Sequence, residues 1–132
     1  AQLQNALNHE SGPIPVDFGS TLVTGMHVTV VEGLRRHFGL AAHPVKVVDP
    51  YQMLGLIEDD LVQALGIATA GVPGPKTIFG FPLGGWKPWR APWGQELEVP
   101  ADFNVEERAD GVYIYPEGDT SAPASGVRLT SQ

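Results

Sequence analysis

Residues Ile14–Gly39, IPVDFGSTLVTGMHVTVVEGLRRHFG, contain the clearest change of hydrophobic period in the chain. Ile14, Val16 and Phe18 alternate with Pro15 and Asp17, the two-residue period of a strand. Gly19 ends the alternation, and the hydroxyls of Ser20, Thr21 and Thr24 are candidate helix N-caps. From Met26 the period lengthens. Met26, Val30, Val31, Leu34 and Phe38 fall on one helical face, with Glu32, Arg35 and Arg36 on the other. Gly39 stands where a C-cap glycine belongs. The stretch predicts strand, loop and helix. In α/β folds the loop leaving the carboxyl end of such a strand carries the chemistry.

The same alternation continues downstream. Val45–Val48 is a short β-branched strand, and Asp49-Pro50 reads as an N-cap followed by proline at the first helical position. The expected helix runs to about Leu65, with Met53, Leu54, Ile57, Leu61 and Leu65 inward and Glu58, Asp59 and Asp60 solvated. Gly66 ends it, and Ile67–Val72 is the third expected strand. Ala1–Asn8 reads as a short helix with Leu3, Ala6 and Leu7 on one side. Pro13–Val72 is thus expected to form a right-handed β-α-β-α-β unit with three adjacent parallel strands. Beyond Gly71, glycine and proline become dense and helical periodicity vanishes. Short alternating runs at Thr77–Phe81, Glu96–Val99 and Val112–Tyr115 predict antiparallel hairpins. The expected divisions are 1–76 as the β-α-β-α-β region, 77–118 as a β-hairpin excursion and 119–132 as a mobile tail.

Composition narrows the function classes. The chain has 132 residues, 42% of them hydrophobic and 17% charged, enough for one domain with a core. A net charge of −7 without any basic stripe makes nucleic acid a poor partner. The absence of cysteine excludes disulfides, thiolate metal sites and cysteine nucleophiles within these residues. No apolar run reaches membrane-spanning length, and a cytoplasmic location is expected. A three-stranded parallel sheet would leave edges and faces open, so either a small open sheet or part of a larger assembly is expected.

In order and spacing, IPVDFGST (14–21), TGMH (24–27), LRRHFGL (34–40), VKVVDPYQML (45–54), FGFPLGGWKPWR (79–90) and VYIYPEGDTSAPASG (112–126) resemble the amino-terminal portion of the uroporphyrinogen decarboxylase superfamily. The resemblance covers nearly the whole chain. It implies an α/β fold, the amino-terminal part of a (β/α)8 TIM-type barrel with an inserted β-hairpin region. One branch of the superfamily removes carboxylates from uroporphyrinogen in tetrapyrrole biosynthesis. The other transfers methyl groups among substrates, corrinoid proteins, thiols or pterins, usually with a zinc site. The decarboxylase branch grips propionates with an arginine-rich loop after the first strand. Here Gly19–Gly25 contains no arginine, and a neutral loop makes no bidentate carboxylate contacts. The resemblance therefore implies the methyltransferase-like branch, with zinc and a corrinoid belonging to the complete protein. This chain alone is expected to bind no cofactor and to be inactive. A decarboxylase, a non-catalytic binding or assembly module, and a split enzyme are the alternative expectations. The expected partners are a small-molecule or corrinoid-protein substrate, and the remaining barrel segment or a second copy.

The candidate catalytic residues are His27, at the start of the first long helix, and Asp17, near the end of the first expected strand. Asp17 could accept a substrate proton or be satisfied by backbone N–H groups. His27 could act as acid or base, or simply bond to its own loop. Ser20, Thr21, Asp49, Gln52, Lys76 and Trp86 are the candidate substrate-binding residues, although the N-cap reading alone accounts for Asp49. Trp86, Trp89 and Trp93, with Lys87 and Arg90, read as a lid, a docking face or a hydrophobic knot holding the hairpins. His9, His37 and His43 lack metal-ligand spacing, and Glu117 and Asp119 read as a turn, so no metal-binding residue is assigned.

Overall fold

The computed structural model describes residues 2–72, 74–125 and 128–129. Its elements are α1 (Gln2–Leu7), α2 (Val28–His37), β1 (Val45–Asp49), β2 (Leu54–Gly55), α3 (Asp59–Leu65), β3 (Lys87–Arg90), β4 (Glu96–Val99), β5 (Val105–Arg108), β6 (Gly111–Ile114) and β7 (Arg128–Leu129). A 3-10 turn, Pro116–Gly118, follows β6.

Two strands far apart in sequence form the middle of the larger sheet. Val45 and Lys46 of β1 pair in parallel with Leu97 and Glu98 of β4. Antiparallel neighbours flank this pair, giving the order β2-β1-β4-β3. Alternation along β1 turns Val45, Val47 and Asp49 inward, and β4 buries Leu97 and Val99. Helix α2 covers the sheet through Val28 and Val31, one turn apart. The smaller sheet has the antiparallel order β5-β6-β7. Phe103, in the connection from β4 to β5, has its ring centroid 5.2 Å from Trp89 and 5.8 Å from Phe81, and belongs to the same buried cluster as Ile114 of β6.

Several expectations are corrected at the level of elements. Ile14–Phe18 and Ile67–Val72 form no strand, and the expected run of three adjacent parallel strands is not made. The two segments do meet through one backbone bond, from the Ala68 N–H to the Val16 carbonyl (2.8 Å). Ile14 and Val72 are 84% and 96% exposed, so alternation in these runs does not correspond to a buried face. The helix expected from Pro50 begins only at Asp59. Residues 50–53 form a tight turn, and Leu54–Gly55 return along β1 as a strand. Packing requires the glycine here, because a Cβ on Gly55 would stand 2.7 Å from Val45 Cγ1 and 3.0 Å from Val31 Cγ2.

Helix α2 is close to its expected span but is rotated about its axis. Arg35, expected in solvent, is 4% exposed, whereas Val30 and Phe38 are exposed. Ion pairing explains the exchange. Arg35 donates to both Asp60 oxygens at 2.8 Å, to the Ala41 carbonyl at 2.9 Å, and stands 3.3 Å from Glu58. Glu58 also meets His43 Nε2 at 2.9 Å, so neither Glu58 nor Asp60 is an idle solvated charge. At the carboxyl end, Gly39 adopts φ +66, with the Gly39 and Leu40 N–H groups donating to Arg36 and Arg35, a Schellman closure. In the tail expected to be mobile, Leu129 is buried and β7 pairs with β6, while Gly126, Val127 and residues 130–132 lie outside the described residues.

Candidate functional site

The loop from Asp17 to His27 carries four of the candidate residues, Asp17, Ser20, Thr21 and His27. It is held on two sides. On one side, Gly71 lies so close to Ser20 that an added Cβ would overlap the Ser20 carbonyl oxygen. Thr69 Oγ donates to Asp17 Oδ1 at 2.6 Å, and Ser20 Oγ donates to Asp17 Oδ2 at 2.7 Å. On the other side, Gly25 and Gly19 pack against Leu54 and Ile57, leaving no space for a Cβ at either. The Val28 N–H donates to Met53 O and the Gly55 N–H to Met26 O, both at 2.9 Å. The start of α2 is therefore tied to the turn at the carboxyl end of β1.

Asp17 is held below the usual carboxylate range, chiefly by the hydroxyls of Ser20 and then Thr69. It is ionised near neutral pH and acts as a hydrogen-bond acceptor. Backbone N–H groups were the expected satisfying donors; side-chain hydroxyls from two separate loops supply most of that role. Thr21 points to Thr24 instead, their hydroxyl oxygens 3.3 Å apart, and the Gly19 N–H closes the loop on Thr24 O. None of the three hydroxyls caps α2.

His27 is the N-cap. The Thr29 N–H donates to its Nδ1 at 3.3 Å, and the Thr29 hydroxyl stands 2.9 Å from the same nitrogen. Burial pushes the imidazole pKa below its ordinary value. A neutral ring whose Nδ1 accepts must carry its proton on Nε2. The group on offer near pH 7 is thus an N–H donor, suited to polarising a carbonyl or carboxylate oxygen. Its ring lies 5.4 Å from that of Trp93, a contact that sequence spacing did not reveal.

The other candidates divide. Asp49 is 1% exposed, and its carboxylate is used internally: it accepts the Tyr51 N–H at 2.8 Å and Gln52 Nε2 at 3.4 Å. It caps a turn, not a helix. Gln52 is thereby brought to Asp49 and remains exposed. Lys76 is exposed beside a backbone bridge to Pro82. Trp86 is half-buried just before β3. The three tryptophans do not form one cluster of contacts: Trp89 meets Phe103 edge to face, and Trp93 lies tilted against His27. Arg90 pairs with Glu96 in solvent, while Arg108 lies over the Tyr113 ring at 4.2 Å. Among the described residues, no three histidine, aspartate or glutamate side chains converge to hold a metal ion. In PEGD, Asp119 accepts from both the N–H and the hydroxyl of Ser121, so it serves a turn. No described helix is long and apolar enough to cross a membrane.

Comparisons with protein-family models, with curated proteins and with solved structures yield no match for this chain.

Proposed function

We propose that the chain forms part of a uroporphyrinogen decarboxylase-like protein of the methyltransferase type, its fold belonging to the amino-terminal part of a (β/α)8 barrel with an inserted hairpin region. The observation that carries this reading is the convergence on the loop 17–27. Segments 53–57 and 68–71 grip it from two sides, placing His27 and Asp17 on one continuous stretch beside the turn that ends β1. The turn that ends β1 lies at a strand carboxyl end, the place where barrel enzymes build their sites. The loop carries an ionised carboxylate and an imidazole N–H but no guanidinium, which suits a substrate with few carboxylates better than a tetrapyrrole with many.

In this reading His27 donates a hydrogen bond from Nε2 to a substrate oxygen, and Asp17 orients the hydroxyls of Ser20 and Thr69 at the loop's edge. Ser20, Thr21, Gln52, Lys76 and Trp86 supply polar and aromatic contacts for the substrate. The described residues do not fit a zinc site, so no step is drawn through a metal held by them; zinc and a corrinoid belong to other parts of the protein.

The test uses the protein that carries this chain, assayed for methyl transfer from a methylated corrinoid to a thiol and for uroporphyrinogen decarboxylation. Methyl transfer that drops about 100-fold in His27→Ala, with an unchanged circular dichroism spectrum, is the expected result. Unchanged turnover removes the site, and decarboxylation without methyl transfer reassigns the branch.

A further inference from the structure

The contact between His27 and Trp93 belongs to a larger arrangement at the β3–β4 turn. Ala91-Pro92-Trp93-Gly94 forms a β-turn closed by the Gly94 N–H donating to Ala91 O at 2.8 Å. Proline presets the second position, and Gly94 at φ +88 takes a conformation that favours glycine. Trp93 is therefore displayed at a defined place. Its indole N–H, a group that can only donate, reaches Gln95 Oε1 at 2.9 Å. That bond fixes the amide orientation: Gln95 Nε2 must be the group that meets the Val28 carbonyl, at 3.1 Å. Val28 follows His27 directly. The hairpin thus grips the first residue of α2 by hydrogen bonding and the N-cap ring by aromatic contact.

We propose that Trp93 and Gln95 are positioning residues for His27, holding its imidazole so that Nδ1 faces Thr29 and Nε2 carries the proton. Each contact has a separate consequence. The Trp93 ring lies 5.4 Å from the imidazole, tilted by 45° to it, and its bulk adds to the burial that disfavours the charged form. Gln95 fixes the backbone on which the Nδ1–Thr29 contact depends, and only an amide serves, since it must accept from an indole and donate to a carbonyl. A carboxylate of the same shape would face the Val28 oxygen with no proton to share. Charged and titratable groups on the surrounding elements are Glu32, Arg35, Arg36 and His37 on α2, Lys46 and Asp49 on β1, and Lys87, Arg90, Glu96 and Glu98 on the hairpin. None contributes to the lowered His27 pKa, whose cause is burial.

The purpose that this positioning serves rests on the methyltransferase reading; the state of the ring does not. The experiment is a pH series of long-range proton–nitrogen NMR spectra on the full chain with 15N-labelled histidine. Wild type is expected to show His27 as the Nε2–H tautomer, titrating below an ordinary histidine. Trp93→Ala should move the midpoint upward. Gln95→Glu should convert the single tautomer into a mixture. Ile114→Ala, which weakens the other sheet, should alter neither readout and so controls for general loss of stability. An Nδ1–H tautomer in wild type, or wild-type spectra in both hairpin variants, overturns the proposal. A shifted tautomer together with full turnover in His27→Ala would leave the positioning intact and remove the functional reading instead.

Discussion

At the scale of single residues, Asp17 shows how two loops are joined by one charge. Its carboxylate takes hydroxyls from Ser20, three residues on, and from Thr69, fifty-two residues on. A folded-state pKa below the unfolded value means a contribution to stability that is complete above the unfolded pKa. It disappears as pH falls through the folded pKa. Thr69→Val removes one donor and keeps the side-chain shape. The variant should therefore be less stable than wild type at pH 7, and the difference should shrink below about pH 4 as Asp17 protonates in both proteins. Urea titrations of the pair at neutral and acidic pH measure this. A difference independent of pH would mean that the hydroxyl acts through packing, not through the carboxylate.

Among elements, the parallel pairing of β1 with β4 closes the larger sheet over a long separation in sequence. Leu97, 1% exposed and paired with Val45 on one side and Trp89 on the other, stands at this joint. Leu97→Ala should cost about 3 kcal/mol, the transfer free energy of the lost methyl groups plus the cavity they leave. Val30 supplies the contrast. Helical spacing puts it on the apolar face, yet it is 47% exposed, and Val30→Ala should change stability by less than about 0.5 kcal/mol. Denaturant midpoints for the two variants, with unchanged m values, are the check. Equal effects would contradict the observed rotation of α2.

On the scale of the whole molecule, apolar surface is unevenly distributed. Ile14, Val23 and Val72 are almost fully exposed, and Phe18, Leu22 and Ile78 add to them. Exposed apolar side chains at this density mark surfaces that associate. The chain should sediment as concentration-dependent oligomers and bind an apolar dye, and Val23→Lys with Val72→Lys should weaken both effects. A stable monomer without dye binding at high concentration would count against association.

What the sequence by itself determined is local. Gly39 and Gly66 end their helices because left-handed closure favours glycine. The core span of α2 and the strand at Val45–Asp49 follow from periods that a few neighbouring residues suffice to define. Among the candidate site residues, His27 was legible from its place at a helix start, where it is the N-cap of α2, and Asp17 from its place near the end of an expected strand that does not form. Tertiary structure decided the rest. Alternation at Ile14–Phe18 has the period of a strand, but no neighbour pairs with it as a strand, and hydrogen-bonding partners are not encoded by period. Arg35 and Val30 exchange burial because Asp60 and Glu58 lie within reach of one and not the other. Trp93 and Gln95 reach His27 and Val28 from a turn more than sixty residues away. Local periodicity records which side chains avoid water; which of them meet is settled only when distant backbones are brought together.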